Sequence, residues 1–382
     1  MADNKDKKVL NVPALRFPEF TEEWREYAIG NVLSIGNGRD YKHLHNGDIP
    51  VFGTGGYMTS VDDFLYDGES VFIGRKGTIN KPLYYNGKFW TVDTLFYTHS
   101  FVNVLPKFAY CLFQTINWLK YNEASGVPSL SKATIEKIKV RVPSMDEQGK
   151  LSNQLFLLDK RIEVQNKIIE KYESLIQAMC DTLIGKKTQQ VMLSFNDFGE
   201  SYSGLSGKSA EDFGEGSPYI TYMNVYQNQI IDITDIGLVK INKTEQQSLV
   251  QYGDILFTLS SETPEEVGMG AVYLGETYPL YLNSFCFGIH ITDESKIFPP
   301  FLAYYVSSES FRKAVFPLAQ GSTRFNLQKG DFLKKVFPFP AIEQQRKIYS
   351  ILKTYSDKLN IEKQMIKLLC CQKQYLLRQL FI

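Results

Sequence analysis

Apolar residues in the middle of the chain recur in alternating steps of four and three. Leu151, Leu155, Leu158, Ile162, Ile169, Tyr172, Ile176, Met179 and Leu183 form one stripe, interrupted by Gln165. A sustained 3.5-residue period predicts a long helix whose narrow seam faces another helix. The stripe returns 197 residues further on as Ile348, Leu352, Tyr355, Leu359, Ile366, Leu369, Leu376 and Leu380, with Glu362 in the place of Gln165 and Lys373 in that of Ile176. The segments that open the two stripes also correspond. Pro143-Ser144-Met145-Asp146-Glu147-Gln148-Gly149-Lys150-Leu151 matches Pro340-Ala341-Ile342-Glu343-Gln344-Gln345-Arg346-Lys347-Ile348. A duplication of this period predicts two globular halves, each followed by one long helix.

The ends of the first helix carry their own signals. Ser144 and Glu147 form a capping-box pattern, and Gly185 stands as a glycine just past the last turn. About 40 residues per helix correspond to roughly 60 Å. Two seams of equal length and phase predict that the helices pair with each other. The linker 185–190 reaches about 20 Å, and a half of about 150 residues is roughly 35–40 Å across. A parallel pair would ask the second half to bridge a whole helix length, so the expected pairing is antiparallel. Gln165 and Glu362 then fall near the centre, where polar residues fix register at some cost in stability. The fold expected is α+β and pseudo-two-fold symmetric: two β-rich domains separated by two long helices in an antiparallel coiled coil. Its boundaries are 1–143, helix 144–184, linker 185–190, 191–340 and helix 341–382.

Short β-branched and aromatic runs mark strands within the halves: Ile49–Phe52, Ser70–Ile73, Tyr219–Tyr222 and Asp254–Thr258. Gly53-Thr54-Gly55-Gly56, Asp67-Gly68 and Asn86-Gly87 read as the turns that bound them. The halves also echo each other outside the helices. Asp67–Ile73 aligns with Tyr252–Thr258, Phe108–Tyr110 with Leu302–Tyr304, and Ser129–Lys132 with Asn326–Lys329.

Composition narrows the chemistry. Lysines and arginines number 42, as do aspartates and glutamates, so any nucleic-acid surface has to be local. Five cysteines without a C-x-x-C pair and four histidines argue against a zinc site or a disulfide framework, and for a reducing cytoplasm. Residues 1–8 are polar, and no apolar run approaches the ~18 residues of a membrane span. Gly204-Leu205-Ser206-Gly207-Lys208-Ser209 resembles a phosphate-binding loop but has Tyr202 where the first glycine belongs. Asp40, His43 and His45 read as a solvated loop rather than a metal cluster. No methyltransferase or helicase motif is present.

Basic, hydroxyl and aromatic residues gather in loops at matching places in the halves. Ser129 and Lys132 precede the first helix; Ser322, Thr323, Arg324 and Lys329 precede the second. Arg39, Tyr41, Lys42, His43, Thr54, Tyr57, Arg75, Lys76 and Thr78 are further candidates in the first half. Lys208, Ser209, Tyr222, Asn224, Ser260, Ser261 and Thr263 are those of the second. Such side chains suit double-stranded DNA: cations and hydroxyls meet phosphates, arginine forks onto guanine, and asparagine onto adenine.

The chain resembles the specificity (S) subunits of type I restriction-modification enzymes. The resemblance lies in the alternation of halves and helices and in local phrases. These are Leu15-Arg16-Phe17-Pro18-Glu19-Phe20 with Trp24, Ile49–Gly53, Gly74-Arg75-Lys76-Gly77, the stretch 321–329 and the run 338–348. The loop Gly126–Ser129 departs from it in lacking a counterpart of Arg324. The resemblance implies a non-catalytic, cytoplasmic subunit that carries no cofactor. Each recognition domain would read one half of a bipartite, asymmetric DNA target, with the helices setting the spacer. Partners would be DNA, two methyltransferase (M) subunits that hold S-adenosylmethionine, and two restriction (R) subunits that use ATP and Mg²⁺. A stand-alone DNA-modifying enzyme and a protein-interaction dumbbell without DNA remain as alternatives. Turnover by the purified chain discriminates the first, and a DNA shift assay the second.

Overall fold

A computed structural model describes residues 11–185, 190–242, 244–276 and 278–382. The opening 1–8 and most of the linker 185–190 lie outside them. The chain divides into two compact units. One runs to Lys167 and takes in Gln364–Ile382, and the other is Ile168–Lys363. The long helices are continuous over Met145–Ile184 and Ile342–Leu380, so each supplies one stretch to each unit.

Every position of both apolar stripes is buried or half-buried. In the first unit, Leu151 and Leu155 at the start of one helix share a core with Leu377 and Leu380 at the end of the other. In the second, Cys180 and Ile184 share a core with Ile348 and Leu352. The helices therefore run antiparallel in each unit. Lys373 fits the seam because its ammonium reaches Asp159 Oδ1 at 2.5 Å while its stem stays among apolar neighbours. Gln165 is buried in the first unit. Glu362, half-buried in the second, accepts Lys358 Nζ at 2.8 Å.

The helix ends differ in detail from the expectation. Ser144 Oγ accepts the Glu147 N–H at 3.4 Å. The Glu147 carboxylate goes instead to Arg16, which meets both its oxygens at 2.7 Å, and to Trp24 Nε1 at 3.3 Å. A guanidinium fork outcompetes a backbone N–H for a buried carboxylate. Gly185 donates to Asp181 O at 2.9 Å but keeps a negative φ, so it ends the helix without a left-handed cap.

The first unit holds a six-stranded sheet in the order Ser34–Asn37, Leu95–His99, Tyr66–Gly74, Leu83–Thr91, Asn46–Gly53, Gly56–Val61. Gly53 and Gly56 face each other across the hairpin turn. Asp67-Gly68 and Asn86-Gly87, expected as turns, lie inside paired strands. Gly68 sits opposite Gly87, with φ of +141° and +129°. Only glycine takes that backbone without strain, so the pair marks a kink in the strands rather than their ends.

The second unit carries a four-stranded sheet, Gly199–Ser203, Cys286–Ile291, Ile255–Thr258, Gly270–Val272, and smaller sheets beside it. The strand expected over Tyr219–Tyr222 stops at Ile220. Thr221 Oγ1 accepts the Asn224 N–H at 3.1 Å and starts the helix Tyr222–Gln227.

Both units close in the same way. A strand near the start of each half pairs antiparallel with the strand before the next long helix: Arg25–Ala28 with Lys139–Val142, and Gln190–Leu193 with Phe337–Pro340. Among the described residues, no helix is long and apolar enough to cross a membrane. No group of three or more metal-ligating side chains occurs among them, and all five cysteines are unbridged.

Candidate nucleic-acid interface

In the first unit, several candidate loops converge on the turn at Asp93–Thr94. The Arg75 and Lys76 N–H groups donate to Thr94 O at 2.8 and 3.2 Å. Arg75 O in turn accepts Leu130 N–H at 2.9 Å, Lys76 forms a β-bridge with Ser129, and Gly77 N–H reaches Pro128 O. A Cβ on Gly77 would sit 3.7 Å from Thr54 Oγ1. Arg39 enters the same region, its N–H on Thr91 O at 2.8 Å and its carbonyl accepting Trp90 Nε1 at 2.8 Å. The exposed side chains of Arg39, Arg75 and Lys76 thus spring from one backbone frame. The Arg75 guanidinium stands 5.9 Å from the Phe96 ring centre. Thr78 is half-buried beside them.

The remaining first-half candidates divide. Tyr41 packs on the small core of Val51, Val61, Trp90 and Val92, and His43 lies edge-on to Trp90 at 5.8 Å. Lys42 is exposed, and Tyr57 is exposed with its hydroxyl 3.1 Å from Ser60 Oγ. Lys132 is partly committed: its Nζ donates to Ile35 O at 2.8 Å and stands 3.6 Å from Glu136.

The second unit repeats this frame with other side chains. A Cβ on Gly38 would clash with Val92 O at 1.9 Å, and one on Gly204 with Asn283 O at 2.0 Å. These glycines anchor corresponding turns. Leu259 N–H donates to Phe285 O as Arg75 N–H does to Thr94 O, and Leu259 O accepts Leu327 N–H as Arg75 O accepts Leu130 N–H. Ser260 pairs with Asn326 as Lys76 bridges Ser129. Arg75, Lys76 and Gly77 of the first unit thus correspond to Leu259, Ser260 and Ser261. The alignment of Ser129–Lys132 with Asn326–Lys329 agrees with this frame.

Two other alignments slip by one residue. The pairs Ile73–Phe96 and Phe257–Phe287 make Ile73 the counterpart of Phe257, not Thr258. The Leu105 and Phe298 N–H groups hold matching places before their helices, so Phe108 corresponds to Phe301. A one-residue slip would exchange the two faces of a strand, and hydrogen bonding fixes what sequence similarity left loose.

Several second-half candidates prove to be internal. The Lys208 side chain is 3% exposed, with Nζ 2.5 Å from Glu245 Oε2 and 2.6 Å from Lys240 O. That hydrogen bond, the first of its causes, holds the Glu245 carboxyl down at about 2. Ser209 is exposed but closes a capping box with Asp212. Asn224 is fully buried and clamps the loop at 232–235, donating to Asp232 O and Asp235 O and accepting Asp232 N–H. Ser260 and Ser261 are buried, and Tyr222 OH donates to Ser260 O at 2.6 Å. Lys329 lies 5.2 Å from the Phe287 ring centre, and burial lowers its pKa. Lys208 and Asn224 are therefore corrected from base readers to structural residues. Ser322, Thr323 and Arg324 are exposed in the turn between Ala319–Gln320 and Phe325–Leu327, and Thr263 is exposed nearby.

Arg324 stands 5.8 Å from the Phe285 ring centre. Phe285 occupies the place of Thr94, beside which Arg75 stands. Each unit thus carries an exposed arginine near this turn but from a different loop, Arg75 beside Phe96 and Arg324 beside Phe285. Sequence reasoning missed Phe285, Tyr226, Glu262 and Glu266, which share a cleft with Arg324. No sequence signal marked them, because the correspondence of 259–261 with 75–77 emerges only from the backbone hydrogen bonds.

The family of type I restriction modification DNA specificity domains matches the chain twice, over residues 21–174 and 192–369. The chain belongs to this family. The type I restriction enzyme MjaVIII specificity subunit of Methanocaldococcus jannaschii is 24% identical over 382 residues, covering 92% of this chain and 84% of that protein. A putative type I restriction enzyme specificity subunit of Haemophilus influenzae is 20% identical over 345 residues, covering 82% of each. The crystal structure of a type I restriction-modification S subunit from M. genitalium shares the fold. It superposes with a TM-score of 0.63 at 16% identity, over 97% of this chain and 99% of that one.

Membership in this specificity family gives the outer faces of the long helices a context. Leu157, Val164, Ile361, Leu368 and Tyr375 point away from the seam and are exposed. Their exposure is more than the heptad seam requires.

Proposed function

We propose that this chain is the DNA specificity subunit of a type I restriction-modification complex. Each β-rich unit reads one half of a bipartite, asymmetric target. The observation that carries the reading is the repeated backbone frame, Arg75–Thr94–Leu130 in one unit and Leu259–Phe285–Leu327 in the other, clothed in different side chains. One scaffold holding two unlike sets of exposed groups suits a target with two unlike halves. Base contacts specify and phosphate contacts position.

The recognition domains are 1–143 and 191–340. The helices 144–184 and 341–382 set the spacer, with Gln165 and Glu362 fixing their register. In the first domain Arg39, Thr54, Arg75, Lys76 and Ser129 carry the interface, flanked by Lys42, His43 and Tyr57. In the second, Ser322, Thr323, Arg324 and Thr263 carry it. The subunit is non-catalytic and cytoplasmic and holds no cofactor. S-adenosylmethionine belongs to two M subunits, and ATP and Mg²⁺ to two R subunits. The exposed apolar residues on the helices offer docking area to the M subunits.

Genome-wide mapping of methylated bases in the host, with and without this chain, tests the reading. A bipartite methylated motif that vanishes on deletion and returns on complementation supports it. A methylation pattern indifferent to the chain overturns it.

A further inference from the structure

The second unit holds a cleft of about 250 Å³ next to the Arg324 turn. Tyr222 and Tyr226 stack 5.9 Å apart on one wall, and Phe285 stands on the rim. Glu266 is part of the wall. Ser261 Oγ donates to its Oε2 at 3.1 Å, and Tyr226 and Thr263 hydrogen-bond to it as well. Its acceptor capacity is largely spent on the protein.

Glu262 and Arg324 differ from it. Both are exposed, both line the cleft, and neither makes an ion pair among the described residues. Their positions are set by backbone. Ser261 pairs with Phe325, so Glu262 and Arg324 are the next residues out on adjacent strands. Gly321 holds the turn at φ +139°, where a Cβ would lie 2.1 Å from Arg324 O. The guanidinium rests over the Phe285 ring.

This guanidinium and this carboxylate, each one residue beyond the end of a paired strand, offer one donor fork and one acceptor. Against DNA, a carboxylate is repelled by phosphates and gains only opposite an amino group of a base. Cytosine N4 is the usual partner of Glu, and guanine O6 and N7 that of Arg. We propose that Arg324 and Glu262 read a G·C pair in the half-site of the second unit, Arg324 taking the guanine and Glu262 the cytosine amino group. The assignment rests on the specificity-subunit reading and deepens it. The first unit has Thr78 in the place of Glu262, so its half-site is read by a different set.

The test uses the chain co-expressed with the M subunits of its own complex. Methylation is scored on a plasmid library randomised across both half-sites, for the unaltered chain, R324A, R324K and E262Q. The half-site of the second unit is identified by exchanging residues 191–339. Discrimination for one G·C pair there is expected to fall by about ten- to a hundred-fold in R324A, with partial recovery in R324K. E262Q is expected to loosen the same pair, and the other half-site keeps its preferences in every variant. The assignment is overturned if that half-site contains no G·C pair, if R324A and E262Q leave its discrimination intact, or if both half-sites loosen together. Methylation without any sequence preference by the unaltered complex would instead remove the specificity reading itself, and the assignment with it.

Discussion

Gln148 and Gln345 make the same three hydrogen bonds at the same place in the two units. The Gln148 side chain accepts Leu105 N–H at 2.8 Å and donates to Pro143 O and Asn103 O. Gln345 accepts Phe298 N–H at 2.9 Å and donates to Pro340 O and Lys296 O. Both are fully buried. Each glutamine ties the first turn of a long helix to the preceding strand and to the start of a short helix. Truncating either leaves buried backbone groups unpaired. Gln148→Ala and Gln345→Ala are each expected to lower stability by about 2–4 kcal/mol. Urea unfolding followed by circular dichroism checks this.

The Lys208–Glu245 pair gives a pH signature. The folded Glu245 carboxyl titrates near 2, below its ordinary 4.5, because Lys208 hydrogen-bonds to it. A depressed folded pKa contributes stability above the unfolded value that is lost as pH falls through the folded one. The contribution is thus complete above about pH 4.5 and fades toward pH 2. Lys208→Met is expected to flatten this part of the acid unfolding profile while leaving the DNA target unchanged. Melting temperatures from pH 6 down to 2 measure the first, and methylation mapping the second.

Arg75 has no carboxylate partner among the described residues and stands over Phe96, and Lys76 is its exposed neighbour. Arg75→Ala is expected to relax one position of the first half-site by about 1–3 kcal/mol. Lys76→Ala is expected to weaken binding to all sequences alike and to reduce the salt slope by about one charge. Binding titrations of the assembled complex at several salt concentrations separate the two.

On the specificity-subunit reading, the length of the two continuous long helices sets the spacer. One heptad inserted at matched positions in both adds about 10 Å, or about three base pairs. The preferred gap should lengthen while both half-sequences stay fixed. The same insertion in one helix alone should destabilise the chain. Selection on a library of randomised spacer lengths reads the outcome; an unchanged gap would remove the helices from spacing.

The heptad stripes and the duplication were legible in the sequence because both are periodic. A seam that must bury one face of a helix constrains every third or fourth residue, and Lys373 needed only Asp159 to be accommodated. The candidate interface was legible in part. Arg75, Lys76 and Arg324 are exposed cations in glycine-containing loops, and within the first unit the loop of Arg75 and Lys76 meets that of the half-buried Ser129. The sequence could not tell Lys208 or Asn224 from such residues. A lysine held by a carboxylate partner and an asparagine that clamps a loop use the same functional groups as base readers. Only long-range hydrogen bonds, Lys208 to Glu245 and Asn224 to Asp235, turn them inward.

The sequence alone determined the long helices and the two-fold repeat, since local periodicity and burial of one face leave little else open. Tertiary structure decided which loops share a surface, which charges remain unpaired, and how the halves align residue by residue. Those depend on backbone pairing between segments far apart in the chain, such as Ser261 with Phe325 and Lys76 with Ser129.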